Sequence, residues 1–355
     1  IVGHTRHKAA IAMGLQEVPV HVAADLPPEK ARAYRIADNR VGELAEWEPQ
    51  ALSSELAALE ALGVEMDALG WEPDDLREAM HPEGDEIVED KPPAPLPDAV
   101  SRRGDVWIMG GHRLICGDCT SPQDADAVTG GEKCSVCLTD PPYGCGEAYV
   151  SHDDTQEALG TLAEAFFSIA RDRCEVVAFT PGIQNIRHYP PADWMLCWFY
   201  GVGTGRTPWG FSCWQPLLVY GKDPMLANGK GCHPDGVNKL MSRDDAEQNK
   251  ATGHACPKPL SVWCWFLDRV SHTCEDVVYE PFSGSGTTII ACEQLGRKCR
   301  AIEIEPRYVD VAIRRWQKLT GAQATLESTG KTWAAIAKKR GVKIDEPDSG
   351  TAPNG

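Results

Sequence analysis

The sequence predicts an α/β fold, a largely parallel sheet with crossover helices, preceded by a smaller unit that mixes helix and strand. Three observations predict it. Beyond residue 100, short apolar runs alternate with stretches of helical periodicity; one of those runs leads through a Gly-rich turn into a helix; and an acidic, Pro-rich stretch sets this part off from the first eighty residues. At 355 residues with 42% apolar content, the chain can bury one full α/β core and still carry a second, smaller unit.

Each element follows from its local pattern. In 1–80 the periodicity predicts a helix over 9–13 closed by Gly14, a strand over 18–22, a helix over 27–44 with Ala33, Ile36 and Ala37 on one face, and a helix over 50–62. Residues 81–100 lack apolar periodicity and read as a semi-rigid linker, so the domain boundary is placed there. In 101–325, strands are expected over 136–139, 175–180, 195–200, 217–220, 277–280 and 299–303, with helices over 161–170, 260–270, 287–295 and 306–319. Leu260, Trp263, Leu267 and Val270 recur at helical spacing, which predicts that one face of their helix is core. Residues 326–355 read as a polar tail, its last dozen residues disordered.

Composition narrows the function classes. No apolar run is long enough to span a bilayer, and the chain, opening at Ile1 without a signal sequence, reads as a fragment of a cytoplasmic protein. The 14 Cys are sparse for a disulfide scaffold; several, such as Cys197 and Cys264, stand between apolar neighbours as small hydrophobes, so reduced thiols are expected. A net charge of −17 argues against nonspecific binding to polyanions. The charge is uneven, however: residues 1–100 carry 21 acids against 8 bases, and residues 181–260 carry 6 against 8 with three His besides. A nucleic-acid partner would face the later segment.

The Gly-rich turn lies in Val277-Val-Tyr-Glu-Pro-Phe-Ser-Gly-Ser-Gly-Thr-Thr-Ile-Ile290, where Gly284 and Gly286 let backbone N–H groups approach a ligand at a strand's carboxyl end. Ile289 stands where a dinucleotide fingerprint has its third Gly, and no Gly-Lys-Ser/Thr follows as in a P-loop. Glu303, seventeen residues beyond Gly286 at the end of the next strand, can accept hydrogen bonds from ribose hydroxyls, which favours a nucleoside ligand. The run Glu280-Pro-Phe-Ser-Gly-Ser-Gly-Thr-Thr, with Ala301-Ile-Glu-Ile-Glu-Pro-Arg-Tyr-Val downstream, resembles the S-adenosylmethionine motif of amino-group DNA methyltransferases. The resemblance implies a Rossmann-like methyltransferase sheet and cofactor contacts from Glu280, Phe282, Gly284, Ser285, Gly286, Thr287 and Glu303. Glu280 stands where that family usually has Asp, which keeps the charge and lengthens the reach to the cofactor's ammonium.

Asp140-Pro141-Pro142-Tyr143 directly follows an expected strand and so caps it at the same sheet edge. An aromatic amine is a poor nucleophile because its lone pair is delocalised, and acceptors aimed at its N–H bonds favour the pyramidal, reactive form. Asp140 offers a carboxylate, Pro141 a carbonyl with no competing N–H, Pro142 fixes the backbone, and Tyr143 a ring face for a base taken out of the stack. No covalent intermediate is required. The tetrapeptide precedes the cofactor motif, an order similar to the permuted β group of amino-methyltransferases, in which a target-recognition region lies between the two. The likeness runs over 101 to about 320, and implies that Asp118 meets the cofactor's adenine and that Lys258, with Pro259, stands near its methionine end.

The implied activity is site-specific methylation of adenine N6 in double-stranded DNA, as in restriction-modification, with base flipping. Cytosine N4 methylation is the alternative, with adenine favoured because the family's cytosine enzymes more often begin the tetrapeptide with Ser than with Asp. A catalytically inactive DNA-binding adaptor and a structured-RNA methyltransferase are further options, and a homodimer is open. In the recognition region, 181–257, Arg187, Arg206, Lys239 and Arg243 are the expected phosphate contacts, while Trp194, Trp198, Trp209 and Trp214, each taken singly, read as core or support.

At the N-terminus, Gly3-His-Thr-Arg6, Ala9 to Val20 and Tyr34-Arg-Ile-Ala-Asp-Asn-Arg40 are similar to the second half of ParB-like domains, with His4 where the related sulfiredoxins have their reactive Cys. No metal is expected. Cys116-x-x-Cys119 and Cys134-x-x-Cys137 have a zinc spacing, but Cys134 and Cys137 fall in or beside a strand, where residues three apart point to opposite faces. Cys232-His233 and His254-x-Cys256 form a weaker pair of ligand candidates.

Overall fold

A computed structural model describes residues 90–144, 156–201, 206–207, 209–239 and 258–344, with a few isolated positions before them. The chain divides into two compact units, 1–84 and 85–355. The elements expected in 1–80, and with them the ParB-like reading, lie outside the described residues.

In the second unit the chain runs β1 (Val106–Met109), β2 (His112–Cys116), α1 (Pro122–Thr129), β3 (Cys134–Thr139), α2 (Gln156–Arg173), β4 (Cys174–Phe179), a 3-10 turn (Ile183–His188), β5 (Trp194–Phe199), β6 (Arg206–Thr207), β7 (Gly210–Phe211), β8 (Trp214–Tyr220), α3 (Pro224–Ala227) and β9 (Gly236–Asn238). It continues with α4 (Leu260–Val270), β10 (Val277–Glu280), α5 (Thr287–Gln294), β11 (Lys298–Glu303), α6 (Pro306–Thr320), β12 (Thr325–Leu326), β13 (Lys331–Thr332) and α7 (Trp333–Arg340). All but β6 and β7 of the strands form one sheet in the order β13-β12-β1-β2-β11-β10-β3-β4-β8-β5-β9. Every strand and helix expected between 136 and 319 is present.

The middle of the sheet is parallel: β2, β11, β10, β3 and β4 all point the same way, and β8 returns antiparallel beside β4. From β3 the chain moves outward to β4, and from β10 it moves the other way to β11. The order therefore reverses between β3 and β10, the switch point at which open α/β sheets hold ligands beyond their strands' carboxyl ends.

Alternation along the strands builds two core layers. Val136, Leu138, Val176, Ala178, Val278 and Ala301 pack with α4, α5 and α6 on one face. Cys137, Val177, Phe179, Tyr279 and Ile302 pack with α1 and α2 on the other. The residues expected on the core face of α4 (Leu260, Trp263, Leu267 and Val270) are all buried, each fully buried side chain of this size contributing about 1.5–3 kcal/mol.

Three expectations are corrected. The stretch 81–100 is no linker throughout: Leu96 and Val100 are buried, Arg314 donates to the Ala94 carbonyl at 2.8 Å, and Asp90 forms a two-pronged ion pair with Arg315 at 2.6 and 2.7 Å. The tail from 326 is folded as far as 344, since Thr332 caps α7, Gly341 ends it in the left-handed conformation, and Trp333, Ile336 and Ala337 are buried. One polar residue explains both. Buried Asp310 on α6 accepts from the Val100 N–H at 2.6 Å, the Ser101 hydroxyl at 2.6 Å and the Trp333 indole at 2.8 Å, so it ties segments that composition alone leaves loose. Thirdly, Cys134 and Cys137 pack into the same layer, so opposite faces do not separate them. Among the described residues no group of three or more His, Cys, Asp and Glu side chains converges as a metal site, and no helix is long and apolar enough to cross a membrane.

Candidate active site

The carboxyl ends of the five parallel strands bring the sequence-predicted residues to one edge: Asp118 follows β2, Glu303 ends β11, Glu280 ends β10, Asp140 follows β3, and Thr180 follows β4. Asp140 is the centre of a polar cluster. Its Oδ1 accepts from the Tyr143 hydroxyl at 2.6 Å and from the Thr180 hydroxyl, and its Oδ2 accepts from the Lys258 ammonium at 2.6 Å. A carboxylate has about four acceptor sites. Three are taken, and one on Oδ2 remains for an incoming N–H. The Asp140 side chain is 30% exposed and that of Lys258 6%, so the carboxylate is reachable while the ammonium is held beneath it.

Tyr143 is pinned from several sides. Its hydroxyl oxygen accepts from Lys258 at 3.1 Å and from the Gln215 amide, and its carbonyl accepts from Asn185 at 2.8 Å. Gly182 adjoins the ring, where a Cβ would stand 3.5 Å from it. Burial, with the charge of Asp140, pushes the Tyr143 hydroxyl above its ordinary range, so it stays a donor. Thr180, Asn185 and Gln215 were not singled out from sequence. Thr180 had a readable signal, a polar residue ending a strand parallel to the one that leads to Asp140; Asn185 and Gln215 come from a 3-10 turn and an antiparallel strand that spacing does not connect to the tetrapeptide.

Across the switch point, Glu280 is buried. Its Oε1 accepts from the Thr139 hydroxyl and the Phe282 N–H at 2.9 Å, and its Oε2 from the Thr288 hydroxyl. Desolvation pushes its carboxyl up to about 7. Glu280 thus joins the residue before Asp140 to the first turn of α5, and its carboxylate serves the protein's own donors. Glu303 is likewise pushed up to about 7 by burial. Each of its oxygens takes one backbone N–H, from Gly284 at 2.7 Å and from Glu305 at 2.8 Å, which leaves an acceptor site on each for a diol.

The Gly-rich loop is braced from behind. Arg315, buried and paired with Asp90, donates to the Ser285 carbonyl at 3.2 Å and to the Thr287 hydroxyl at 3.1 Å. The Thr287 side chain therefore faces the guanidinium, and the Ser285 hydroxyl lies 3.5 Å from it. Gly286 has φ 84°, and a Cβ there would lie 2.8 Å from that of Ala312, so its glycine is demanded by the approach of α6. The Phe282 ring packs edge-on against Phe166 at 5.1 Å. Asp118 accepts from the Thr120 N–H and hydroxyl at 2.9 and 2.7 Å; burial pushes its carboxyl up, but these bonds and the Arg103 guanidinium outweigh it and hold the group below its ordinary value.

Other expectations fare unevenly. Lys258, expected toward the cofactor's methionine end, stands on Asp140. Arg187 is exposed in the 3-10 turn after β4. Lys239 directs its ammonium to the Ser261 hydroxyl at the start of α4, the side chain of Arg206 is outside the described set, and Arg243 lies outside the described residues. Of the Trp residues read as core or support, Trp198 is buried, whereas Trp194 is 61% exposed and Trp209 99%.

Residues 209–314, which span β8, α4, the Gly-rich loop and β11, match the N6/N4 DNA methylase family. This stretch of the chain is therefore similar to N6/N4 DNA methylases. The chain is 23% identical over 240 residues to the type II methyltransferase M.HpaI of Haemophilus parainfluenzae, a match covering 58% of this chain and 74% of that protein. It is 24% identical to M.ScaI of Streptomyces caespitosus, over 51% of this chain and 74% of that one. Among solved structures, M1.HpyAVI in complex with SAM aligns over 57% of this chain and 98% of its own, with 19% identity and a TM-score of 0.44.

The residues at this edge fit a nucleoside ligand. Glu303 offers paired acceptors beside the Gly284 backbone, as a ribose diol requires. Between them the Ser283 hydroxyl is buried with no protein partner, a polar atom that a bound nucleoside or its water can satisfy.

Proposed function

We propose that the chain transfers a methyl group from S-adenosylmethionine to N6 of adenine in double-stranded DNA, with the target base turned out of the stack. The observation that carries this reading is the cluster around Asp140: a reachable carboxylate with one acceptor site left, fixed by Tyr143, Thr180 and Lys258, one strand away from the Glu303 and Gly284 edge.

The bound cofactor supplies an electrophilic methyl group on a sulfonium. Glu303, Asp118 and the backbone of 284–286 would hold its nucleoside. On the target side, the remaining acceptor of Asp140 and the Pro141 carbonyl take the two N–H bonds of the amine, drawing its lone pair out of conjugation. Tyr143 supplies a stacking face whose position is set before the base arrives, so little ordering is left to do on binding. Lys258 holds the Oδ2 whose second acceptor site is open and keeps the carboxylate aimed. Of the four expected phosphate contacts, Arg187 is the one described as exposed. Adenine is favoured over cytosine because the tetrapeptide begins with Asp, and the motif order is that of the permuted β group.

Modification-sensitive sequencing of DNA from a host expressing the chain, compared with a host expressing Asp140→Ala, tests this. N6-methyladenine at a recurring sequence, absent from the variant host, is the expected result. N4-methylcytosine would correct the base, and unmodified DNA in both hosts would overturn the reading.

A further inference from the structure

The arm between β5 and β8 does something the catalytic cluster does not explain. Because β8 runs antiparallel to β4, its first residues lie at the carboxyl edge that carries Asp140 and Thr180. Gln215, second in β8, reaches the Tyr143 hydroxyl. From there the β5–β8 pairing continues outward. The Tyr200 N–H donates to the Cys213 carbonyl at 2.9 Å, the Tyr200 and Ser212 hydroxyls are bonded at 2.8 Å, and β6 pairs with β7 through Arg206 with Phe211 and Thr207 with Gly210. Trp209 lies in the turn between β6 and β7. Trp209 stands there 99% exposed, with Phe211, 63% exposed, beside it.

A Trp side chain carries roughly 150–250 Å² of surface and normally gains stability by hiding it. At a turn tip it contributes nothing to the core. Six residues of extended chain separate Trp209 from Gln215, a reach on the order of 20 Å, so the ring can meet the bases that flank one held at Asp140. Arg187 and His188 are exposed in the 3-10 turn after β4, and Arg206 pairs with Phe211 in the ladder itself. An exposed flat aromatic ring on an arm that starts beside the Asp140 cluster suits a nucleic-acid stack.

We propose that Trp209 inserts into the DNA duplex at the place left by the target base, stacking on its neighbours and holding the duplex open. This rests on the reading that the chain methylates a base turned out of duplex DNA. An inserted ring offsets the stacking lost when the base leaves, and its contribution vanishes when the duplex is already open at that position.

The test uses the full chain, S-adenosylmethionine, and two short duplexes bearing the methylation site revealed by sequencing. In one the target base is paired; in the other it faces an abasic position. Wild-type, Trp209→Ala and Trp209→Phe proteins are compared by kcat/KM on both duplexes, and by the fluorescence of 2-aminopurine at the target position with S-adenosylhomocysteine bound. Trp209→Ala is expected to lose at least tenfold on the paired duplex and less than threefold on the abasic one, with a weaker fluorescence rise, while Trp209→Phe stays within about threefold on both. An equal loss on the two duplexes, or no loss on the paired one, overturns the proposal. So does a change in oligomeric state of Trp209→Ala in place of the duplex dependence, which would assign the ring to a contact between copies. If the wild-type protein methylates no DNA, it is the function that fails, a result distinct from each of these.

Discussion

The two sides of the switch point are built in opposite ways. On the side of the Gly-rich loop, the proposed cofactor side, Glu280, Glu303 and Arg315 are buried and hydrogen-bonded to the loop or strand ends they support. On the target side, beyond β4, the strands turn antiparallel, and Trp194, Phe199, Trp209 and Phe211 are exposed. A ligand that is the same at every turnover rewards a cradle set in advance. The proposed duplex substrate would instead meet exposed aromatic surface. The Asp140 cluster lies on the seam, joined to one side through Thr139 and Glu280 and to the other through Gln215.

Substitutions that should separate the two sides can be ranked by expected effect. Asp140→Ala removes the acceptor at the seam: kcat should fall at least ~1,000-fold, while calorimetry should find cofactor affinity within a few-fold of wild type. A comparable loss of cofactor affinity would mean the sides are not separable. Gly284→Val acts on the cradle alone. Gly284 has φ 51° and its N–H is bonded to Glu303, so titration with S-adenosylmethionine should show affinity reduced by at least ~30-fold, and equal affinity would remove the loop from the site.

Tyr143→Ala should lower kcat/KM by roughly 5- to 150-fold through lost stacking worth about 1–3 kcal/mol, with Phe recovering part of it. Recovery short of wild type would measure what the hydroxyl bonds to Asp140, Lys258 and Gln215 add. Glu280→Gln is a stability probe. With folded values near 7 against an ordinary 4.5, Glu280 and Glu303 keep their protons in the folded chain through a range where the unfolded chain loses them. Their effect is to make stability fall as pH rises through that window. Denaturant unfolding from pH 5 to 8 should show the fall reduced by roughly 1–3 kcal/mol in Glu280→Gln; an unchanged slope would assign it elsewhere. The smallest effect is expected on the target side. Arg187→Gln should reduce the magnitude of the salt dependence of DNA binding by about 0.9 in log–log slope if it contacts one phosphate, and leave cofactor titrations unchanged.

The parallel sheet and the edge where its ligands meet were legible because periodicity reports burial, and because Asp140 and Gly284 each follow a run that can only be a strand. What sequence did not show were contacts made across the fold. Asp90 and Arg315 are 225 positions apart, and nothing in the local composition of either marks the pair. Lys258 was placed by the resemblance of its segment, yet its partner, Asp140, is 118 positions away. The hairpin β1–β2 did leave a trace, a Gly110-Gly111 pair between apolar runs, and Gly110 indeed turns with φ 59°. Trp209 was misjudged for a general reason: indoles are buried on average, and an average cannot flag the one at a turn tip.

The pairing of Asp90 with Arg315 also bears on how such chains exchange parts. Composition invites a junction near residue 100, where the Pro-rich stretch ends. A chimera fused there would receive an intact sheet, tetrapeptide and Gly-rich loop, but would leave behind the carboxylate that aims the guanidinium behind that loop. Recombination that keeps the loop braced has to cut upstream of residue 90, so a stretch that looks like spacer is inherited with the sheet.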